Sequence, residues 1–257
     1  MCELFGRSGR SIENVTPLLK EFYSHAVDHP DGWGLYLNNE TDTFSHKEPK
    51  RADRSEKLKN ILDGEIRAKN VIAHIRLATI GYDTLCNTHP FSGFDISGRE
   101  WVLAHNGTIF RGDSISKYFY TQDGDTDSER ILLYLLDMMN RRIREKSAPL
   151  KAEERFDVIR GITTELSPHN KLNLLIYDEE VLYVHTNFRD SLFMSKGSDG
   201  LLFSTRPLSK GTWEPVPFLR LISCRNGRVE QMGDSHSNEY IPDPGELKAL
   251  FMAYSGL

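Results

Sequence analysis

Cysteine is scarce in this chain: three of 257 residues, Cys2, Cys86 and Cys224. They lie far apart and form no C-x-x-C pair, which excludes a disulfide scaffold and leaves no zinc or redox motif, so the thiols are expected to be reduced. Long hydrophobic runs are missing as well. Nothing approaches the roughly 18 uninterrupted apolar residues of a membrane span, and the opening Met1-Cys2-Glu3-Leu4-Phe5-Gly6-Arg7 lacks the basic-then-apolar layout of a signal peptide. A cytoplasmic location without a membrane partner is the expectation. Nor is there a surplus of positive charge: 32 Lys and Arg stand against 37 Asp and Glu, a net charge of −5, so no broad nucleic-acid groove is expected. Without a Pro/Ser/Gly-rich linker, internal repeat or low-complexity tract, the pattern favours one domain over residues 1–257.

What is present suits a packed core, with 39% hydrophobic and 27% charged residues, inside the usual range for globular chains. Residues 33–37, 71–76 and 101–105 are short β-branched and aromatic runs that predict buried strands. Between the first two, the Leu/Ile spacing of 54–69 predicts an amphipathic helix, and a long loop is expected over 81–98. Thr126 followed by Glu129 is a capping-box signature. It opens a long helix with Asp127 in its first turn and Arg141, Arg142 and Arg144 near its C-terminal end, where cations suit the helix dipole. A second helix is expected over 151–166. Strands then return at 172–177, 181–186, 192–194, 201–204 and 219–224, with Asp178-Glu179-Glu180 and Asn226-Gly227 as hairpin turns.

Several residues carry chemistry only in combination. Cysteine at position 2 is small enough to permit removal of Met1, which would give one residue a thiol and a free α-amine. With ordinary pKa values of about 8.5 for a thiol and about 7.7 to 8.0 for an α-amine, the amine can take the thiol proton near neutral pH without a histidine. Alone, Cys2 reads more simply as a small buried residue of a first strand. Asn106-Gly107 offers a side-chain amide and a backbone N–H that could converge on an oxyanion, although Asn-Gly is also the commonest hairpin turn. Arg76, closing an apolar run, needs an anion; a substrate carboxylate and an internal Asp or Glu are both open. Asp127 could hold an ammonium or simply favour the helix dipole.

Taken in order, Met-Cys-Glu-Leu-Phe-Gly, Asp31-Gly-Trp-Gly34, His74-Ile-Arg76 with Thr79, Asn87-Thr-His-Pro-Phe91, Ala104-His-Asn-Gly107 and Asp125-Thr-Asp-Ser-Glu129 resemble the class II glutamine amidotransferases. Among these, the stand-alone YafJ-type members are the most similar. The motifs run from residue 1 to about 129 and continue faintly into Phe203-Ser-Thr-Arg-Pro-Leu208, where the family usually has an acidic residue in place of Arg206. The early Arg-Gly pair of multi-domain relatives is absent; Ser24-His25 and His29-Pro30 occupy that region. The resemblance implies an α+β fold, the N-terminal-nucleophile (Ntn) hydrolase αββα sandwich of four layers, with the segment after 129 completing it. It also implies roles: Cys2 as nucleophile with its own amine as base, Asn106 and Gly107 as the oxyanion hole, Arg76 for the α-carboxylate, Asp127 for the α-amino group, and Thr79 and His89 as support of the pocket.

The function so implied is hydrolysis of the γ-glutamyl amide of glutamine through a thioester, with no cofactor or metal, and with ammonia open to delivery to a partner protein outside this chain. Three alternatives stand beside it. The same residues could serve a hydrolase of γ-glutamyl peptides or thiol-pathway intermediates. Retention of Met1 would put the amine on the wrong residue and favour a non-catalytic glutamine-binding module. His74, His89 and His105 could suggest a metal enzyme, but they lack the spacing of common zinc sites.

Overall fold

The computed structural model describes residues 2–245. Its strands in chain order are β1 (Glu3–Asn14), β2 (Gly32–Asn38), β3 (Thr43–Glu48), β4 (Arg67–Arg76), β5 (Phe91–Phe94), β6 (Glu100–Thr108), β7 (Lys171–Tyr177), β8 (Leu182–Thr186), β9 (Phe193–Gly197), β10 (Gly200–Ser204), β11 (Trp213–Pro215), β12 (Arg220–Arg225) and β13 (Arg228–Met232). The helices are α1 (Thr16–Ser24), α2 (Glu56–Asp63), α3 (Asp113–Ser116), α4 (Asp127–Lys146) and α5 (Ala152–Leu166). One sheet has the order β11-β9-β10-β1-β4-β2-β3 and the other β13-β12-β8-β7-β6-β5.

Side-chain alternation assigns the layers. On β4, Val71, Ala73 and Ile75 turn to a cluster with Leu19 and Phe22 of α1 and Leu58 of α2, while Ile72 faces the other way. On β6, Val102 and Ala104 meet Ile72, Leu4, Leu175 and Phe203 between the two sheets, while Trp101 and Leu103 join Ile131 and Leu135 of α4 and Phe156 and Ile159 of α5. The order is therefore helices, sheet, sheet, helices: the four-layer αββα sandwich that the motifs implied.

Local chemistry explains most element ends and some departures from expectation. The helix anticipated over 54–69 is confined to α2, because Ser55 caps it by accepting from the Leu58 N–H at 3.0 Å, and residues 67–69 already belong to β4. At the start of α4 the Thr126 hydroxyl accepts from the Glu129 N–H at 3.2 Å, but Glu129 does not return the bond. Its carboxylate takes the N–H groups of Asp123 and Gly124 at 2.7 and 2.8 Å, so only half of the capping box forms. Asn106 and Gly107 do not make the sharp turn expected of them: β6 runs through both to Thr108, paired with Asn173 and Leu172 of β7. The long loop contains β5 and a short turn of helix at Leu85–Asn87. The strands β3, β11 and β13, which had no apolar signal, are a sheet edge in each case and mostly exposed.

Candidate active site

Five strand ends meet at one rim of the sandwich: the start of β1, the ends of β4, β6 and β10, and the start of β7. Cys2, one residue before β1, is only half-buried. Its Sγ donates to the Leu77 carbonyl at 3.3 Å and accepts from the Leu77 N–H at 3.4 Å, just past the end of β4. Burial pushes the thiol pKa up, while the Leu77 backbone contact and the positive charges of Arg76 and Lys171 act in the opposite direction. Cys2 opens into a cavity of about 320 Å³ that Thr79, Asn106 and Gly107 also line.

The Asn106 amide is clamped from both sheets. Lys171 Nζ donates to its Oδ1 at 3.3 Å, and its Nδ2 donates to the Thr205 hydroxyl at 3.3 Å. An ammonium has only donors, so the amide oxygen must face Lys171 and the NH2 must face Thr205. Thr205 is itself fixed to β1: its hydroxyl accepts from the Leu4 N–H at 3.0 Å and its N–H donates to the Leu4 carbonyl at 3.0 Å. Lys171 is buried, and the loss of hydration brings its pKa down to about 8. Gly107 has no room for a side chain, since a Cβ would stand 1.9 Å from the Lys171 carbonyl oxygen.

Arg76 lies at the end of β4 as expected, and both terminal nitrogens of its guanidinium are engaged. It donates to the carbonyls of Ile80 and Gly81 at 3.0 and 2.9 Å, to Tyr82 and Asp31 at 3.3 and 3.4 Å, and to the Asp83 carboxylate at 2.9 Å. The anion on Arg76 is thus internal, supplied by a half-exposed Asp83. Thr79 bonds the Thr108 hydroxyl at 3.3 Å inside the cavity wall. Asp127 does not line that cavity. It sits behind the end of β6, accepting from the Ile109 N–H at 2.6 Å and from the Ser128 hydroxyl at 3.4 Å. Nor does His89 line the cavity: its ring stacks on His74 with centroids 4.1 Å apart and is set edge-on to Phe91 at 4.6 Å.

The Asp31-Gly-Trp-Gly34 motif is a packing device for this rim. A Cβ on Gly34 would stand 1.9 Å from the His89 carbonyl oxygen, and Asp31 accepts from the Ala78 N–H at 2.6 Å, anchoring the backbone beside Cys2. Beside Cys2, the Glu3 carboxylate pairs with Arg206 at 2.9 Å and His25 at 2.8 Å, so the reversed charge at 206 has an acidic partner on β1. His105 bonds Ser128 and the Lys171 carbonyl at 3.0 and 3.1 Å. Among the described residues no group of three His, Cys, Asp or Glu side chains is placed to hold a metal.

Sequence reading missed Lys171 and Thr205. A lysine opening a strand ordinarily marks its solvated end, and Thr205 lies in a segment whose resemblance carried no role; only the pairing of β6 with β7 and of β10 with β1 brings them to Asn106. The aromatic side of the cavity, Phe110, Phe188 and Tyr240, was missed for the same reason.

A family model described as class II glutamine amidotransferases matches residues 1–198. This chain belongs to that family. Class II glutamine amidotransferases are enzymes, and glutamine is the substrate from which the family takes its name. The YafJ protein of Escherichia coli, named as a candidate glutamine amidotransferase, is 31% identical over 73% of this chain and 74% of its own length. A γ-glutamyl-hercynylcysteine sulfoxide hydrolase of Mycolicibacterium smegmatis is 23% identical over 80% of this chain and 82% of its own. The glutamine phosphoribosylpyrophosphate amidotransferase structure from B. subtilis superposes with a TM-score of 0.68 at 17% identity, over 93% of this chain. This likeness is one of fold, the Ntn-type sandwich, and the chain spans about half the length of that larger protein.

Proposed function

We propose that the chain hydrolyses the γ-amide of glutamine or of a γ-glutamyl small molecule, with Cys2 as nucleophile once Met1 has been removed. The observation that carries this reading is the Asn106 amide, clamped between Lys171 and Thr205 on the wall of the cavity into which Cys2 opens. Only one of its two N–H donors is used by Thr205, so a second is available to a developing oxyanion, with the Gly107 N–H as its companion.

In this scheme the α-amine of Cys2 takes the thiol proton and Sγ attacks the γ-carbonyl carbon. The carbonyl electron pair moves onto oxygen and is held by Asn106 and Gly107. Collapse breaks the C–N bond as the ammonium of Cys2 protonates the leaving nitrogen, giving a thioester and free ammonia or amine. Water, deprotonated by the same amine, then attacks the thioester, the C–S bond breaks, and glutamate leaves with the thiolate restored. The family resemblance assigns the substrate α-carboxylate to Arg76, in exchange for Asp83, the α-amino group to Asp127, and support of the pocket to Thr79 and His89. No cofactor is needed.

The reading extends to one type-2 domain over residues 1–257, supported by strands after residue 170 that complete both sheets. Delivery of ammonia to a partner protein is compatible with it. No helix among the described residues is long and apolar enough to cross a membrane. A second reading, hydrolysis of larger γ-glutamyl compounds, is favoured by the apolar side of the cavity and by the relative named for such a reaction. The deciding experiment treats the protein with a diazoketone analogue of glutamine and maps the labelled peptide. Label on Cys2 of a chain lacking Met1 supports the proposal; label on Cys86 or Cys224, or an intact Met1 on active protein, sinks it.

A further inference from the structure

We propose that the aromatic side of the Cys2 cavity is a subsite for the leaving amine, and that the substrates it favours are γ-glutamyl amides whose amine carries an aromatic or branched apolar group. This rests on the reading of Cys2 as nucleophile and names the substrate class of that same site.

Ammonia, the leaving group of glutamine, has no use for an apolar wall. Yet besides Cys2, Asn106, Gly107, Lys171 and the strand-end segments around Thr79 and Thr108, the cavity is walled by Phe110, Phe188, Tyr240 and Pro242. The rings form an ordered set: Tyr240 lies parallel to Phe110 at 6.2 Å and 8°, and stands edge-on to Phe188 at 5.6 Å and 72°. Lys171 Nζ sits 5.2 Å from the Phe188 ring centroid, tying the aromatic wall to the residue that clamps Asn106. Among the described residues no carboxylate lines the cavity, and neither Arg76 nor Asp127 does, so it lacks the pair of groups assigned to an amino-acid head. What remains is a largely apolar chamber opening directly on the attacking Sγ of Cys2, of a size that suits a small organic group.

The wall is also built to stay in place. Tyr240 is buried and its N–H donates to the Asn187 carbonyl at 2.8 Å. The Asn187 side chain accepts from the Leu172 N–H at 2.8 Å and donates to the carbonyls of Asn170 at 2.8 Å and Asn238 at 3.2 Å. A fully buried asparagine thus stitches the segment carrying Tyr240 and Pro242 to the first residues of β7, next to Lys171. A preformed apolar wall of this kind binds a ring without an ordering cost for each encounter. In the reaction, the C–N bond breaks as before and the proton passes to an amine that keeps its apolar group in the chamber until it leaves.

The test measures kcat/KM of the purified full-length protein for glutamine, γ-glutamylmethylamide and γ-glutamylbenzylamide. The benzylamide should exceed both others by about 10-fold or more, and benzylamine should inhibit glutamine turnover at concentrations where methylamine does not. Phe188→Ala and Phe110→Ala should each reduce the benzylamide-to-glutamine ratio about 10-fold, and Phe188→Leu, which keeps most of the bulk, should retain an intermediate ratio. A wild-type ratio of one or less, or an unchanged ratio in folded Phe188→Ala, overturns the subsite while leaving γ-glutamyl hydrolysis standing. Failure to turn over all three compounds, together with no labelling of Cys2 by the diazoketone, overturns the underlying reading itself.

Discussion

At the level of single residues the site is a set of donors whose freedom has been removed. Replacing Asn106 by Ala takes away one of two proposed oxyanion donors, and the turnover number should fall about 10²- to 10³-fold in steady-state assays with the fold unchanged. An unaltered rate would return Asn106 to a purely structural role. Lys171 gives a different readout. In the unfolded chain a lysine keeps its proton up to its ordinary value of 10.5, whereas in the fold it gives it up above about 8. Between pH 8 and 10.5 the unfolded state therefore binds more protons, and stability attributable to this residue rises with pH. Urea denaturation across that window should show wild type gaining on Lys171→Met. Cys2, Asn106 and Gly107 could be singled out in the sequence as candidates because each lies in a short local motif, and they line one cavity. Lys171 and Thr205 could not be, since they reach the site through pairings of residues 65 to 201 positions apart, which no local pattern encodes.

At the level of elements, the motif glycines mark where two segments touch backbone to backbone. Gly34→Ala would press a methyl group onto the His89 carbonyl, and an overpacked site of this kind costs about 1–3 kcal/mol, visible as a lowered denaturation midpoint. The β7–β8 hairpin is tied down from its turn. Asp178, fully buried, accepts from the Val181 N–H at 2.7 Å, the Tyr183 hydroxyl at 2.8 Å and Arg155 Nε of α5 at 2.6 Å. Asp178→Ala leaves a buried guanidinium with less compensation and should destabilise by roughly 3–5 kcal/mol in chemical denaturation, far more than a change at an ordinary exposed turn. Here too the sequence was partly legible: the Asp-Glu-Glu run announced the hairpin, but not the cation from α5 that makes its first residue indispensable. The strand β6 shows the opposite failure. Asn-Gly announces a turn, and tertiary pairing with Leu172 and Asn173 overrides it.

At the level of the whole molecule, burial of neutral imidazoles makes the sandwich acid-sensitive. His74 and His185 both have pKa values pushed down to about 3, chiefly by burial. Once the pH drops below the ordinary 6.5, the unfolded chain takes up protons that the native state refuses, so each should remove up to about 1.4 kcal/mol of stability per pH unit. Denaturation at pH 6.5, 5.5 and 4.5 would measure this, and a flat profile would contradict it. The layer order was implied by the family resemblance and agrees with the succession of strands, helices and strands, whereas the order of strands within each sheet was not legible, because chain order and spatial order diverge most at β1. That strand lies between β4 and β10, and its partner residues Leu201 to Ser204 are the last of the three segments to be synthesised. At about 5–20 residues per second, one flank of the first strand must wait on the order of 10 to 40 s on the ribosome for its companion, a span during which nascent chains depend on chaperones to keep such flanks from pairing with strangers.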